Sequence, residues 1–171
     1  MVRNLVQALI NSEQAQNLPR VVLAFVPLFP LQPLLQRMLN SVVTANPGIF
    51  NRLGPHKNKR FMIDPINLPF VLILEPDPEN LHISARRRTD CLAYDARIAG
   101  SFLTLLDMID GNLDGDALFF SRELIVEGDT EAVVCLRNAM DDLDGSVADD
   151  MAAVMGSTGK RMLSALRKIR N

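Results

Sequence analysis

The 171-residue chain has no tryptophan and one tyrosine, and aromatic residues make up only 5% of it. So sparse a set argues against a surface that stacks nucleobases, and no nucleic-acid partner is expected. There are two cysteines, Cys91 and Cys135, too few for a disulfide framework and in keeping with a reducing compartment. There are two histidines, His56 and His82, which excludes a histidine-rich metal site. No run of roughly 20 apolar residues, the length of a membrane-spanning helix, is present. The charge-free stretch Val21–Gln36 is interrupted by Pro27, Pro30 and Pro33. The apolar run begins only after Arg20 and no small-residue cleavage site follows, so a secretory signal is not expected. There is no Gly-x-Ser-x-Gly nucleophile elbow, and neither cysteine has a histidine close by in sequence.

Hydrophobic residues make up 48%, enough for a globular core. The net charge of −2 hides a division. Residues 1–60 carry seven basic groups and one acid; residues 61–150 carry six basic groups and nineteen acids. Residues 151–171 carry five basic groups and no acid. Basic ends around an acidic middle suit an anionic membrane face or an acidic partner.

Residues 1–17 read as a short amphipathic helix, and 18–33 as an apolar segment that its prolines keep from forming one continuous helix. Leu34, Leu35, Met38, Leu39, Val42 and Val43 form one stripe of a helix over 33–46, stopped by Asn46-Pro47-Gly48. Strands are expected at Arg60–Ile63, Phe70–Glu75, Asn80–Arg87, Cys91–Arg97 and Phe119–Glu127, with Asn80–Arg87 and Cys91–Arg97 paired as a hairpin. Helices are expected over 99–110, 130–144 and 149–170, the last kinked at Gly156 or Gly159. Strands grouped in this way predict an α+β fold with an antiparallel sheet.

Three motifs suggest chemistry and each is incomplete. Asp110-Gly-Asn112-Leu-Asp114-Gly115-Asp116 copies the first half of a calcium loop, but Ser121 stands where the bidentate glutamate belongs. A capped polar turn is expected there. Gly156-Ser-Thr-Gly159-Lys160 fails the phosphate-loop spacing at Val154 and Arg161. Asp141, Asp142, Asp144, Asp149 and Asp150 read as a solvated or docking patch rather than a metal cage. A surplus of flexible apolar residues remains on helices, Met140, Met151, Met155 and Met162, beside Phe102, Phe119 and Phe120.

Residues 118–141 add a sharper signal. Leu118-Phe119-Phe120, Arg122, the run Glu127-Gly128-Asp129-Thr130-Glu131, Asn138 and Asp141 resemble the C-terminal half of the sterol-carrier-protein type-two lipid-binding domain. The similarity is greatest to the UbiT family of bacterial ubiquinone biosynthesis accessory factors. Gly128, Asp129 and Thr130 serve this motif structurally, through a tight turn and a helix cap.

The resemblance implies a five-stranded antiparallel sheet covered by helices, with an apolar lipid tunnel between them. It implies a lipid-binding segment at 30–145, an amphipathic and proline-rich lead at 1–29, and a basic amphipathic helix at 146–171. The function implied is a non-catalytic accessory role, binding isoprenoid quinone intermediates for oxygen-independent ubiquinone biosynthesis. The partners implied are a prenylated quinone or related lipid and other ubiquinone-biosynthesis proteins, among them iron–sulfur hydroxylases, with no cofactor of the chain's own. A protein-interaction scaffold or generic lipid carrier using the same groove is the alternative. Lipid-lining residues would be Phe102, Leu105, Leu106, Ile109, Phe119, Phe120, Leu124, Val126, Val133, Leu136, Met140, Met151 and Met155. A cytoplasmic protein attached peripherally to a membrane would make contact through Val21, Val22, Phe25, Leu28 and Phe29, and through Lys160, Arg161, Arg167 and Lys168.

Overall fold

A helix over Leu31–Ala45 (α1) opens the fold. Its apolar stripe buries Leu35 and Val42, and Asn46 ends it by donating from both its side chain and its backbone N–H to the Val42 carbonyl, 3.0 Å each. The computed structural model describes residues 28–90, 92–110, 124–141 and 147–170. A short helix, Ile49–Leu53 (α2), and a 3₁₀ turn, Gly54–Asn58, lead into the sheet.

The strands are Phe61–Pro65 (β1), Phe70–Glu75 (β2), His82–Arg87 (β3), Ala96–Gly100 (β4) and Ile125–Gly128 (β5). They lie in the order β3-β2-β1-β4-β5. β1–β2, β2–β3 and β4–β5 pair antiparallel, but β1 and β4 run parallel, with Phe61 opposite Ala96 and Pro65 opposite Gly100. The sheet is therefore mixed, where a wholly antiparallel one was expected. The expected hairpin between Asn80–Arg87 and Cys91–Arg97 does not form. Leu92 of the connecting segment instead packs across the outer face of the sheet on Met62, Val71 and Ile73. Asp95 and Ala96 then donate their N–H groups to the Arg60 carbonyl, so β4 joins β1 on the side away from β2.

Alternation along the strands sorts the two faces. Phe61, Leu74, Ile83, Ala85, Ala96 and Ile98 point inward to the main core. Burying a side chain as large as Phe61 or Ile98, 0% and 1% exposed, stabilises the fold by about 1.5–3 kcal/mol each. The inner face is covered by α1, by Phe102–Asp110 (α3) and by Thr130–Asp141 (α4).

Gly128 makes the turn from β5 into α4 with φ +78°. A Cβ there would lie 2.3 Å from the Asp95 carbonyl oxygen, so only glycine fits. Asp129 then caps the helix: its Oδ1 accepts from the Ala132 N–H at 2.9 Å, and its other oxygen pairs with Lys59. The Lys59 ammonium and the Ala132 N–H hold the Asp129 carboxyl below its ordinary pKa.

The helix expected over 149–170 is two, Val147–Val154 (α5) and Gly156–Arg170 (α6). Gly156, with φ +65°, divides them. Gly159 lets them meet closely, because a Cβ there would sit 2.2 Å from the Ala152 carbonyl oxygen.

Candidate functional site: an apolar cavity under a helical roof

A cavity of about 390 Å³ opens beside the main core, lined by apolar residues alone. Its floor is the inner face of the sheet, with Ile63, Pro65, Phe70 and Leu72 and, from the β1–β2 turn, Leu68. One wall is the start of α1, where Leu31, Leu34, Leu35 and Met38 recur at helical spacing. The facing wall is α3, with Phe102, Leu105, Leu106 and Ile109. The roof is the α5–α6 hairpin, with Ala148, Ala152, Met155, Gly159 and Leu163.

The walls are held by polar bonds that lie outside the cavity. Gln32 on α1 donates to the Ala85 carbonyl at 2.8 Å and accepts from the Ala85 N–H at 3.3 Å. Gln36, one turn on, donates to the Leu81 carbonyl at 3.0 Å and accepts from the Ile83 N–H at 3.2 Å. Two glutamine amides thus stand in for a neighbouring strand along the β3 edge. At the other end, the Asn67 side chain accepts from the Phe102 N–H at 2.9 Å and caps α3. Arg88 donates to the Pro65 and Leu68 carbonyls at 2.6 and 2.8 Å, fixing the turn whose side chains reach the cavity.

On the opposite face of the sheet Asp64, its side chain 3% exposed, lies 2.5 Å from Arg88 and 2.6 Å from Arg97. Burial pushes its pKa up, but the hydrogen bonds and charges of Arg88 and Arg97 outweigh that, and the carboxyl is held below its ordinary value. Both Asp64 oxygens lie within ion-pair distance of a guanidinium, Oδ2 with two hydrogen bonds from Arg97. The cluster braces the sheet.

Of the lipid-lining candidates, Phe102, Leu105, Leu106, Ile109 and Met155 meet at the cavity. Leu124, Val126, Val133, Leu136 and Met140 pack in the main core instead, so the space between the sheet and α4 is filled. Phe119 and Phe120 lie outside the described residues, as does the 111–116 part of the calcium-like run; the Met151 side chain is likewise not described. Among the membrane-contact candidates, Phe29 is 86% exposed, while Leu28 turns in against the main core. Lys160, Arg161 and Lys168 are exposed on α6. Val21, Val22 and Phe25 lie outside the described residues, and the Arg167 side chain is not described. The α1 and β1–β2 linings, and the roof lining apart from Met155, were not among the candidates, because periodicity marks burial without separating a filled core from a void.

His56 is buried; its Nε2 lies 3.9 Å from Glu131, and its Nδ1 has no hydrogen-bond partner. Among the described residues no group of three or more acidic, histidine or cysteine side chains could hold a metal ion. Among them, too, no helix is long and apolar enough to cross a membrane.

No curated protein matches the chain in sequence. A solved structure titled UbiJ-SCP2 Ubiquinone synthesis protein is similar to it, with a TM-score of 0.54 at 19% identity over 68% of this chain and 93% of that one. Sterol carrier protein 2 from Yarrowia lipolytica, in its apo form, gives 0.46 at 12% identity, over 65% of this chain and 87% of that one. Palmitated SCP2L2 from Aedes aegypti gives 0.43 at 14% identity, over 63% and 90%. The family model described as the SCP-2 sterol transfer family matches residues 39–141, which hold all five strands with α3 and α4. With that match covering well over half of its length, the chain belongs to the SCP-2 sterol transfer family.

Proposed function

We propose that this protein is a non-catalytic lipid-binding accessory factor that holds isoprenoid quinone intermediates for oxygen-independent ubiquinone biosynthesis at a membrane surface. The observation that carries the proposal is the cavity, about 390 Å³ and lined without a single polar side chain. Such a site favours hydrocarbon, because any polar group placed in it would lose its hydrogen bonds to water without replacement. It also offers no nucleophile and no proton donor or acceptor to a bound molecule, and this favours carriage over chemistry. Its volume is near the small end of the range of about 300–1,000 Å³ for small-molecule sites. A long prenyl tail would exceed it, leaving part of the tail in the bilayer or with a partner.

Family membership supports the lipid, and similarity to a ubiquinone synthesis protein supports the quinone. The exposed Phe29 and the exposed Lys160, Arg161 and Lys168 support peripheral attachment to an anionic membrane. The partners proposed are other ubiquinone-biosynthesis proteins, among them iron–sulfur hydroxylases that would act on the presented ring.

Native mass spectrometry, paired with organic extraction of the purified protein, tests the proposal. A bound prenylated phenol or quinone is the expected result. An empty protein that also takes up no added prenylquinone would overturn it and leave an interaction scaffold as the better account.

A further inference from the structure

We infer that the α5–α6 hairpin is a lid over the lipid cavity, and that contact of its basic outer surface with an anionic phospholipid bilayer opens it. The inference rests on the lipid-binding function proposed above and adds a route of entry.

The hairpin has two unlike surfaces. Ala148, Ala152 and Leu163 face down, buried at the cavity. Lys160, Arg161 and Lys168 are exposed on α6, which carries five basic residues and no acid, whereas α5 carries Asp149, also exposed, and Asp150, so the basic surface is that of α6. Among the described residues the buried ones form a cluster of their own with Leu106, distinct from the main core. The seat they rest on is different in kind: α5 packs beside α1, and α1 is bolted to the β3 edge by Gln32 and Gln36. The roof can therefore leave without dismantling the walls.

In water, opening would expose apolar lining on both sides of the gap, and the closed state is favoured. At an anionic bilayer the balance changes for two reasons. The basic residues are attracted to the surface, and the uncovered lining meets acyl chains rather than water. A surface can shift a two-state element only by binding one state better, and here the open state gains both terms. The lipid then passes between bilayer and cavity without crossing water.

The test uses the full chain with Cys91→Ala and Cys135→Ala, carrying one new thiol. Ala152→Cys reports on the roof, where the native residue is 6% exposed; Ala139→Cys, at 1%, reports on the main core. Labelling by N-ethylmaleimide, small and apolar enough to reach a thiol from water or from the bilayer, is timed in buffer, with phosphatidylcholine vesicles and with phosphatidylglycerol vesicles, while prenylquinone loading is followed by native mass spectrometry. The expected result is labelling at Ala152→Cys about tenfold faster or more with phosphatidylglycerol alone, and Ala139→Cys unmoved. Unchanged labelling at Ala152→Cys on vesicles that sediment with the protein overturns the lid, even if prenylquinone loads. Acceleration at both positions also overturns it, since the domain would then be opening as a whole. If Ala152→Cys responds to anionic vesicles but no prenylquinone loads, the lid stands and the proposed cargo falls.

Discussion

Two helical regions enclose one cavity, and they are held by different physics. α1 is fixed by directional bonds. Its glutamines, four residues apart, lie on one face of the helix and meet the N–H and C=O groups that β3 would otherwise offer to another strand. Among the described side chains, the buried ones of the α5–α6 roof are two alanines and a leucine, in contact with Leu106. Directional bonds give a wall one position; apolar contact, which is not directional, leaves a cover freer to shift. Leu31 to Met38 and the whole roof also lie outside the residues matched by the family model, whereas the floor and α3 lie inside. The shared part of the fold supplies the base of the cavity, and the flanks supply its enclosure.

The largest effect should come from erasing the contrast at α1. Replacing Gln32 and Gln36 together by leucine keeps bulk and helix propensity, but strands four backbone groups on Leu81, Ile83 and Ala85. The cost should be about 1–3 kcal/mol for each substitution, read from urea denaturation. Lipid retention should fall with it, because α1 would no longer hold one position. A double variant as stable as the native protein would show that α1 is held by its apolar stripe alone.

A smaller effect, on binding and not on folding, should follow charge reversal of the roof. Lys160→Glu with Arg161→Glu and Lys168→Glu alters exposed positions, so denaturation should move by no more than about 0.5 kcal/mol per site. Affinity for phosphatidylglycerol vesicles should fall by about 1 kcal/mol per lost basic residue. Co-sedimentation at two salt concentrations measures this, and native affinity in the variant would move the membrane contact elsewhere.

Gly159→Ala sharpens the comparison from inside the roof. Its methyl would need to displace the Ala152 carbonyl and the Met155 side chain, at a cost of about 1–3 kcal/mol if the helices part to admit it. Hydrogen exchange should quicken across 147–170 and stay slow in α1. Equal loosening of both would mean that roof and wall are one cooperative unit.

How much of this could be read in the sequence follows from what periodicity records. The span Phe70–Glu75 matches β2 residue for residue, and the stripe from Leu34 to Val43 lies within α1. The Gly128-Asp129-Thr130 run announced its turn and cap. Those signals are local. The partner of β4 is not: pairing with β1 depends on where Leu92 crosses the sheet, and alternation is the same for either partner. The cavity was half legible for a similar reason. Ile109 and Leu136 carry the same hydrophobic signature, yet one lines a void and the other fills the core. Gln32 and Gln36 gave no signal, since an amide on a helix looks like a solvated one until a strand edge is placed beside it.

The smallest effect separates the cavity's roof from the sheet–helix junction by pH. Asp129 has a folded-state pKa below its unfolded value of 3.8, held down first by the Lys59 hydrogen bond and then by the Ala132 N–H. Its contribution is therefore complete above that unfolded value and is lost as pH falls through the lower folded one. Lys59 behaves oppositely: its pKa is raised above 10.5, chiefly by the same Asp129 bond, so its share persists below 10.5 and fades as pH rises through the raised value. The pair thus spans neutral pH without change. Asp129→Asn should keep a cap oxygen for Ala132, lower stability near neutrality, and flatten the acid limb of a stability–pH curve below about pH 4. Because this junction lies at the start of α4, labelling at the roof position Ala152→Cys should be the same in Asp129→Asn as in its parent at neutral pH. A roof that loosened with Asp129→Asn would show that the lid is tied to the core through α4, and the independence of the two regions would fail.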